Sequence, residues 1–238
     1  MSNTTIVVGA SRGLGRGIAQ VLADNDTPVI AVSRTASQLA GAVQSVIADA
    51  TDASAAGRLI DRYRPRNLVL VAGASPLARP IHRQTWETFS VNWETDVRMT
   101  FHWVREALLT PLEPGSRVVV MSSGAALKGS PLSGGYAGAK STQRFIATYA
   151  QEEANRGGLG ITFTSVLPRI TPHTELGRPA VEAYAARAGL TQEQYLEQMG
   201  PPVTPEGAGN AVLELLQGRP ENLAAAYLLT GAGLKELS

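Results

Sequence analysis

Short β-branched, apolar runs recur along the chain with helix-patterned stretches between them. Strands are expected near Thr5–Val8, Val29–Val32, Val43–Ala48, Asn67–Val71, Arg117–Met121, Ile161–Val166 and Ala226–Leu229. Leu68-Val69-Leu70-Val71 and Val118-Val119-Val120-Met121 are apolar throughout rather than alternating, as parallel strands buried on both faces are. After the first strand, Leu14, Ile18, Val21 and Leu22 fall at the spacing of one helical stripe. Strand and helix in alternation imply right-handed crossovers and a doubly wound, parallel α/β sheet with helices on both faces. With no long linker and no internal repeat, residues 1–238 read as one domain.

Two stretches break the alternation. Residues 85–112 are too long for an ordinary crossover helix and end at Thr110-Pro111, where a helix meeting proline should stop. Residues 171–204 form an excursion between the sixth strand and the next helix. Within it, Thr191-Gln-Glu-Gln194 predicts a capping box opening a short helix with Tyr195, Leu196 and Met199. Thr204-Pro205 predicts a cap and first-turn proline for a further helix closed by Gly218. The excursion is placed either to cover a substrate or simply to pack on the surface.

Composition narrows the chemistry. At 44% hydrophobic and 17% charged residues, the chain can build a real core, which excludes wholesale disorder. It has no cysteine, so a disulfide framework and thiol catalysis are out. His82, His102 and His173 stand at no metal-ligand spacing, and no metal site is expected. The formal charge of +1 provides no field to recruit nucleic acid or an anionic membrane. The basic cluster Arg58, Arg62, Arg64 and Arg66 reads as a solvated helix end. No stretch reaches the roughly 20 apolar residues of a membrane span. Met1-Ser-Asn-Thr-Thr5 runs at once into the first strand, leaving no room for a signal peptide. A cytoplasmic protein in a reduced setting is expected.

Gly9-Ala-Ser-Arg-Gly13-Leu-Gly15 follows a strand and opens a helix. In that context glycines let the backbone approach a pyrophosphate, and the helix N-terminus supplies free N–H groups. Gly9, Ser11, Arg12, Gly13, Leu14 and Gly15 are therefore candidate coenzyme contacts. In an NAD site the second strand ends in an acid that holds the ribose hydroxyls. Here it ends Ala31-Val32-Ser33-Arg34-Thr35, with no acid. Ser33 and Arg34, flanked by Arg12, suit a phosphate instead, which points to NADP(H). Arginine outnumbers lysine 18 to 3, so the missing acid weighs more than the arginines. Asp49, followed by Ala50 at the end of the third strand, is placed to meet an adenine edge or to cap the helix starting near Asp52.

Tyr136-Ala-Gly-Ala-Lys140 puts a phenol and an ammonium on one face of a helix. With six tyrosines and three lysines in the chain, chance supplies about 0.08 such pairs. Ser123 lies thirteen residues earlier, just beyond a strand, and requiring one of 16 serines there lowers the expectation to roughly 0.005. The residue types fit carbonyl reduction. A hydride leaves negative charge on oxygen, and a proton must reach it. An unassisted tyrosine, with a pKa near about 10, exchanges protons poorly in both directions near neutrality. A lysine ammonium beside it, together with an oxidised nicotinamide, stabilises the phenolate. A serine hydroxyl holds the substrate oxygen in place.

The glycine turn, Ser122-Ser123-Gly124 and Tyr136-Ala-Gly-Ala-Lys140, in this order and spacing, resemble the short-chain dehydrogenase/reductase family over essentially the whole chain. The resemblance implies a seven-stranded Rossmann sheet in the order 3-2-1-4-5-6-7 and a homodimer or homotetramer built on the long helices around 85–112 and 136–155. By position it implies that Ser123 stabilises substrate, Tyr136 is the acid/base beside the nicotinamide, and Lys140 orients the ribose. Ala72 and Gly73 would line the coenzyme, and Pro168 with the residues after it, Ile170 included, would hold the carboxamide. Three departures stand out. The family's Asn-Ala-Gly becomes Val71-Ala72-Gly73, its Pro-Gly becomes Pro168-Arg169, and its helix asparagine is displaced. Asn92 lies 31 residues before Ser123 and Asp96 lies 27 before it. Asp96 fits the surrounding hydrophobic pattern better and is the expected fourth member of the catalytic set.

The resulting expectation is an NADP(H)-dependent oxidoreductase acting on a carbonyl or secondary alcohol of a small, hydrophobic substrate. Its pocket walls are expected at Ser75-Pro76-Leu77, Ala125–Leu127, Leu132 and the 171–204 segment. The departures also motivate an alternative, an NADP-binding regulatory or scaffold protein that kept the fold and lost the chemistry.

Overall fold

A computed structural model describes residues 3–237 of the chain. Met1 and Ser2, which belong to the N-terminal segment read above as too short for a signal peptide, lie outside the described residues, as does Ser238. The chain runs β1 (Thr5–Val8), α1 (Gly13–Asp24), β2 (Val29–Ser33), β3 (Val43–Ile47), α2 (Ala53–Tyr63) and β4 (Asn67–Leu70). It continues through α3 (Trp86–Asn92), a π-helical turn (Trp93–Val97), α4 (Arg98–Leu109), β5 (Arg117–Met121), α5 (Ala125–Lys128) and α6 (Tyr136–Arg156). The last part comprises β6 (Thr162–Pro168), α7 (Gly177–Ala188), α8 (Gln192–Met199), α9 (Pro205–Gln217), β7 (Ala226–Thr230) and β8 (Gly233–Leu237).

The sheet order is β3-β2-β1-β4-β5-β6-β7-β8, and the first seven strands are parallel. β8 is an addition to the seven strands expected from sequence. It returns antiparallel on β7, with Leu229 opposite Leu234. Gly231-Ala232 turns the chain, and Thr230 Oγ1 accepts the Ala232 N–H at 3.2 Å. The resulting edge strand is only half-buried, so its hydrophobic signal is weak.

Two cores sandwich the sheet. On one face Ile6, Val8, Leu68, Leu70, Val118 and Val120 meet Leu59 and Ile60 of α2, Met99 and Trp103 of α4, and the alanine ridge Ala147, Ala150 and Ala154 of α6. On the other, Val7, Ala31, Val69 and Val119 meet Ile18 and Leu22 of α1 and Val212 and Leu215 of α9. Alternate residues of one strand thus go to opposite cores, which is why these strands are apolar without a break. On the edge strand β3 (Val43–Ile47), Gln44, Ser45 and Ile47 are exposed while Val43 and Val46 are half-buried.

The predicted caps are present. Thr191 and Gln194 form a reciprocal capping box on α8, and Thr204 caps α9, which carries Pro205 in its first turn and ends at Gly218. Of the arginine cluster, Arg58 and Arg62 on α2 are exposed and Arg64 terminates the helix in the left-handed region at φ 42°, but Arg66 is half-buried and donates to the Pro114 carbonyl at 2.8 Å. The 85–112 stretch is not one helix. A second capping box, between Thr85 and Thr88, starts α3, and the π turn then divides α3 from α4. Such turns concentrate at functional sites, and this one carries Asp96.

Candidate active site

One groove of about 1070 Å³ runs along the carboxyl ends of β1, β2, β4, β5 and β6. Every residue singled out from sequence as catalytic or coenzyme-binding lines it: the turn from Gly9 to Gly15, Ser33 and Arg34, Asp49 and Ala50, Ala72 and Gly73, Asp96, Ser123, Tyr136, Lys140, Pro168 and Ile170. The expected walls are adjusted slightly. Leu77 and Ala126 do not face the groove, whereas Ala78 does; from the 171–204 segment, Tyr184, Tyr195 and Met199 line it. Leu77 instead lies on an extended segment with 39% of its surface exposed.

The glycine turn is fitted to its place by steric necessity. Gly9 has φ 97°, and a Cβ there would stand 2.5 Å from the Ala72 nitrogen. Only glycine lets the turn lie this close to the loop after β4. No side chain caps the N-terminus of α1, so its free N–H groups can receive an anion. At the end of β2, Ser33 Oγ donates to the Thr35 carbonyl at 2.5 Å, while Arg34 is exposed. Arg12 is also exposed and forms an ion pair with Glu175, in the segment after β6.

Asp49 does not cap α2. Its Oδ1 accepts the Thr51 N–H at 2.9 Å and the Thr51 hydroxyl at 2.8 Å, and these two bonds hold its carboxyl below the ordinary aspartate range. The cap is Asp52, which accepts the Ser54 N–H at 2.9 Å.

At the other end of the groove, Tyr136 begins α6 and Lys140 follows one turn later. Lys140 Nζ lies 5.5 Å from the centre of the Tyr136 ring. Ser123, in the loop after β5, accepts the Ala125 N–H at 3.2 Å, and its neighbour Ser122 donates to the Lys140 carbonyl at 2.7 Å. That bond ties α6 to the end of β5, and Ser123 lines the same groove as the two α6 side chains.

Lys140 is 6% exposed at its side chain, Asp96 is fully buried, and Asp96 Oδ2 stands 3.0 Å from Nζ. The ammonium also donates to the Met121 carbonyl at 3.3 Å. Asp96 Oδ1 accepts the Ala74 N–H at 2.8 Å and the Asn92 amide at 3.3 Å. Asn92 itself donates to the Ala74 carbonyl at 2.7 Å. Asp96 and Asn92 therefore share one cluster, and Asp96 is the one that reaches Lys140. Gln143 anchors the π turn by donating to the Asp96 carbonyl at 3.1 Å. Burial pushes the Lys140 ammonium down, but Asp96 and the Tyr136 phenol more than offset this and leave it above its ordinary value.

The departures at Val71 and Arg169 have different structural outcomes. Val71 packs against the core on the α1/α9 face, and its N–H and that of Ala72 both donate to the Val8 carbonyl at 2.9 Å. Backbone bonds therefore join β4 to β1 here without a side-chain amide. Arg169 is exposed at the groove, and its N–H donates to the Leu229 carbonyl at 2.9 Å.

Three residues of the 171–204 wall expected from sequence had no individual role assigned to them there. Tyr184 of α7 and Tyr195 of α8 stack with ring centres 6.4 Å apart and form a wall. Burial raises both phenols, with the Arg169 charge pulling Tyr195 back. The capping box signalled the helix that bears Tyr195 but not where that side chain points. Glu175 had no signal at all, being 163 residues from its partner Arg12. Among the described residues, no group of three His, Cys, Asp or Glu is placed to hold a metal ion, and no helix is long and apolar enough to cross a membrane.

Comparison with known proteins agrees with this architecture. The sequence profile of the short chain dehydrogenase family matches residues 3–185. Human L-xylulose reductase is 31% identical over 126 residues, a match spanning 49% of this chain and 52% of that relative. A variant of the actinorhodin polyketide ketoreductase solved with NADPH superposes with a TM-score of 0.81 at 20% identity, covering 97% of each chain. The 3-ketoacyl-(acyl-carrier-protein) reductase of Brucella melitensis, complexed with NADH, gives a TM-score of 0.77 at 17% identity, covering 96% of each. The profile match, joined to the sheet order and a groove that unites the glycine turn with Ser123, Tyr136 and Lys140, shows that the chain belongs to the short-chain dehydrogenase family of oxidoreductases.

Proposed function

We propose that this chain is an NADP(H)-dependent carbonyl reductase, reversible as an alcohol dehydrogenase, for a small and largely hydrophobic substrate. The observation that carries this reading is the meeting of Ser123, Tyr136 and Lys140 in the groove that also contains the glycine turn. A dinucleotide fits the groove chemically. The uncapped α1 N-terminus and the glycine turn suit a pyrophosphate, and the volume, at the upper end of the range for ligand sites, leaves room for a substrate.

NADPH bound there would supply the hydride. Tyr136 donates its hydroxyl proton to the substrate oxygen, completing the alcohol as hydride reaches carbon. Ser123 donates a hydrogen bond to the same oxygen and holds it beside Tyr136. Lys140 would hold the coenzyme ribose with its ammonium, and it stabilises the phenolate left behind. Asp96 supports Lys140 from behind.

The preference for NADP(H) rests on the chain's own residues, because the structural neighbours carry NADPH in one case and NADH in the other. No acid ends β2, and Arg34 and Arg12 both line that end of the groove. In this reading Arg12 exchanges Glu175 for the 2′-phosphate. A hydrophobic substrate is supported by the wall of Ala125, Leu127, Leu132, Tyr184, Tyr195 and Met199. The exposed Phe101 and Leu109 of α4 and Phe145 and Tyr149 of α6 support assembly with further copies of the chain through these helices, in a cytoplasmic setting.

The test is a panel of ketones and alcohols followed at the NADPH absorbance band, together with NADPH binding measured by fluorescence. Oxidation of NADPH by apolar ketones is expected. Tight NADPH binding with no turnover across the panel would favour the regulatory or scaffold reading instead.

A further inference from the structure

A lysine ammonium has three N–H donors, and one of those on Lys140 is committed inside the protein to the Met121 carbonyl at 3.3 Å. The buried Asp96 carboxylate stands beside the ammonium as an ion-pair partner, its Oδ2 3.0 Å from Nζ. Asp96 is held as firmly. Its second oxygen takes the Ala74 N–H and the Asn92 amide, and its main-chain carbonyl takes Gln143. Gly73 leaves the carboxylate just enough space, since a Cβ there would lie 2.8 Å from Oδ2. The pair is sealed between the π turn, the end of β5 and α6, beneath a groove open to water.

Such an arrangement differs in kind from a lysine surrounded by neutral amides. A buried ammonium without a countercharge gives up its proton readily, because burial favours the neutral amine. A carboxylate at 3.0 Å opposes this directly. We infer that Asp96 is a positioning residue of this site: it holds the buried Lys140 as a charged ammonium whose remaining N–H groups serve the coenzyme ribose and the Tyr136 hydroxyl. This inference rests on the oxidoreductase reading above and deepens it. The charged and titratable groups acting on Lys140 are Asp96 from the π turn and Tyr136 from its own helix. β5 contributes the Met121 carbonyl, α3 the neutral Asn92, and the loop after β4 only Gly73 and Ala74.

The sign of the pH dependence follows. With Asp96 in place, the folded chain holds the Lys140 proton more tightly than the unfolded chain does. Stability from the pair is therefore complete below the free lysine value near about 10.4 and is lost as pH rises through the higher folded value. With asparagine at position 96, burial dominates and the folded value falls below the free one. The contribution reverses: it costs stability at neutral pH, and the cost fades on the way to pH 10.

The decisive measurement is the melting temperature of the coenzyme-free chain between pH 7 and pH 10, for the wild type and D96N. D96N is expected to melt about 5–15 °C lower at pH 7, with the gap narrowing steadily toward pH 10. A second readout is carbonyl reduction against pH, in which D96N is expected to lose activity on the alkaline side at lower pH than the wild type. A deficit that is constant with pH in both readouts would show a purely structural role and overturn the inference. Should D96N not fold at pH 7, the double variant D96N/K140M is expected to fold again, because the unmatched ammonium is gone; failure of both would overturn it. If no carbonyl compound is turned over at all, the oxidoreductase reading fails, while the melting series still decides whether Asp96 keeps Lys140 charged.

Discussion

Two ion pairs stand at opposite ends of one groove. Lys140–Asp96, at the end where chemistry is proposed, is 6% and 0% exposed at its two side chains; Arg12–Glu175, beside the glycine turn, is 58% and 68% exposed. Their chemistry is the same, a cation against a carboxylate, but their energetics differ. An exposed pair is screened by water and is worth roughly 0–1 kcal/mol, whereas breaking a buried one by removing a single partner costs about 3–5 kcal/mol. The buried pair is accordingly a fixed part of the scaffold. The exposed pair is a contact that a ligand phosphate can replace at little cost. Rigidity at the reacting end and exchangeability at the reading end follow from burial alone.

Substitutions can break or sharpen this contrast. The largest effect is expected at the buried end, where Tyr136→Phe should lower carbonyl reduction by about 10²–10⁴-fold or more while NADPH still quenches or enhances fluorescence on binding. Unchanged turnover would remove Tyr136 from the mechanism. Ser123→Ala is expected to lower kcat by about 10²–10³-fold with a small change in coenzyme affinity, in line with losing one donor to a developing oxyanion; single-turnover kinetics separate the two quantities. At the exposed end, Arg34→Ala should weaken NADPH by about 10–100-fold, the loss of a charged hydrogen-bonding partner, and leave NADH nearly unaffected. Equal weakening of both coenzymes in titration calorimetry would show that Arg34 does not read the phosphate. The smallest change is expected for Glu175→Gln, which frees Arg12. NADPH should bind up to about 5-fold more tightly, the gain should shrink with added salt, and the melting temperature should hardly move. Weaker NADPH binding in this variant would instead assign Glu175 a supporting role at Arg12.

Much of the site was legible because its signals are local. The turn from Gly9 to Gly15 announces itself by a strand before it and a helix after it. Tyr136 and Lys140 share a face because helical geometry puts residues four apart on one side. Thr191 and Gln194, and Thr204 with Pro205, mark helix starts through bonds that span three residues. The weaker expectations were those that depended on distant partners. Asp49 had two plausible roles in the sequence, and its bonds to Thr51, with Asp52 taking the cap, left it out of α2. The stretch 85–112 was visibly too long, but the π turn that divides it is held by Gln143 from α6. β8 escaped notice because an antiparallel edge strand with one half-buried face carries little hydrophobic pattern.

The choice between Asn92 and Asp96 draws the line most clearly. Spacing and hydrophobic pattern favoured Asp96, yet nothing along the chain revealed that its carboxylate would meet the Lys140 ammonium, or that Asn92 would join the same cluster through Ala74. By itself the sequence determined the alternation of strands and helices, the phosphate-suited turn and the tyrosine–lysine face, all of which arise from periodicities and bonds within a few residues. The tertiary structure alone decided that Asp96 would be sealed against Lys140 and Glu175 left in water beside Arg12. Those outcomes depend on which layers pack together and how completely they exclude solvent, and that is a property of the folded whole.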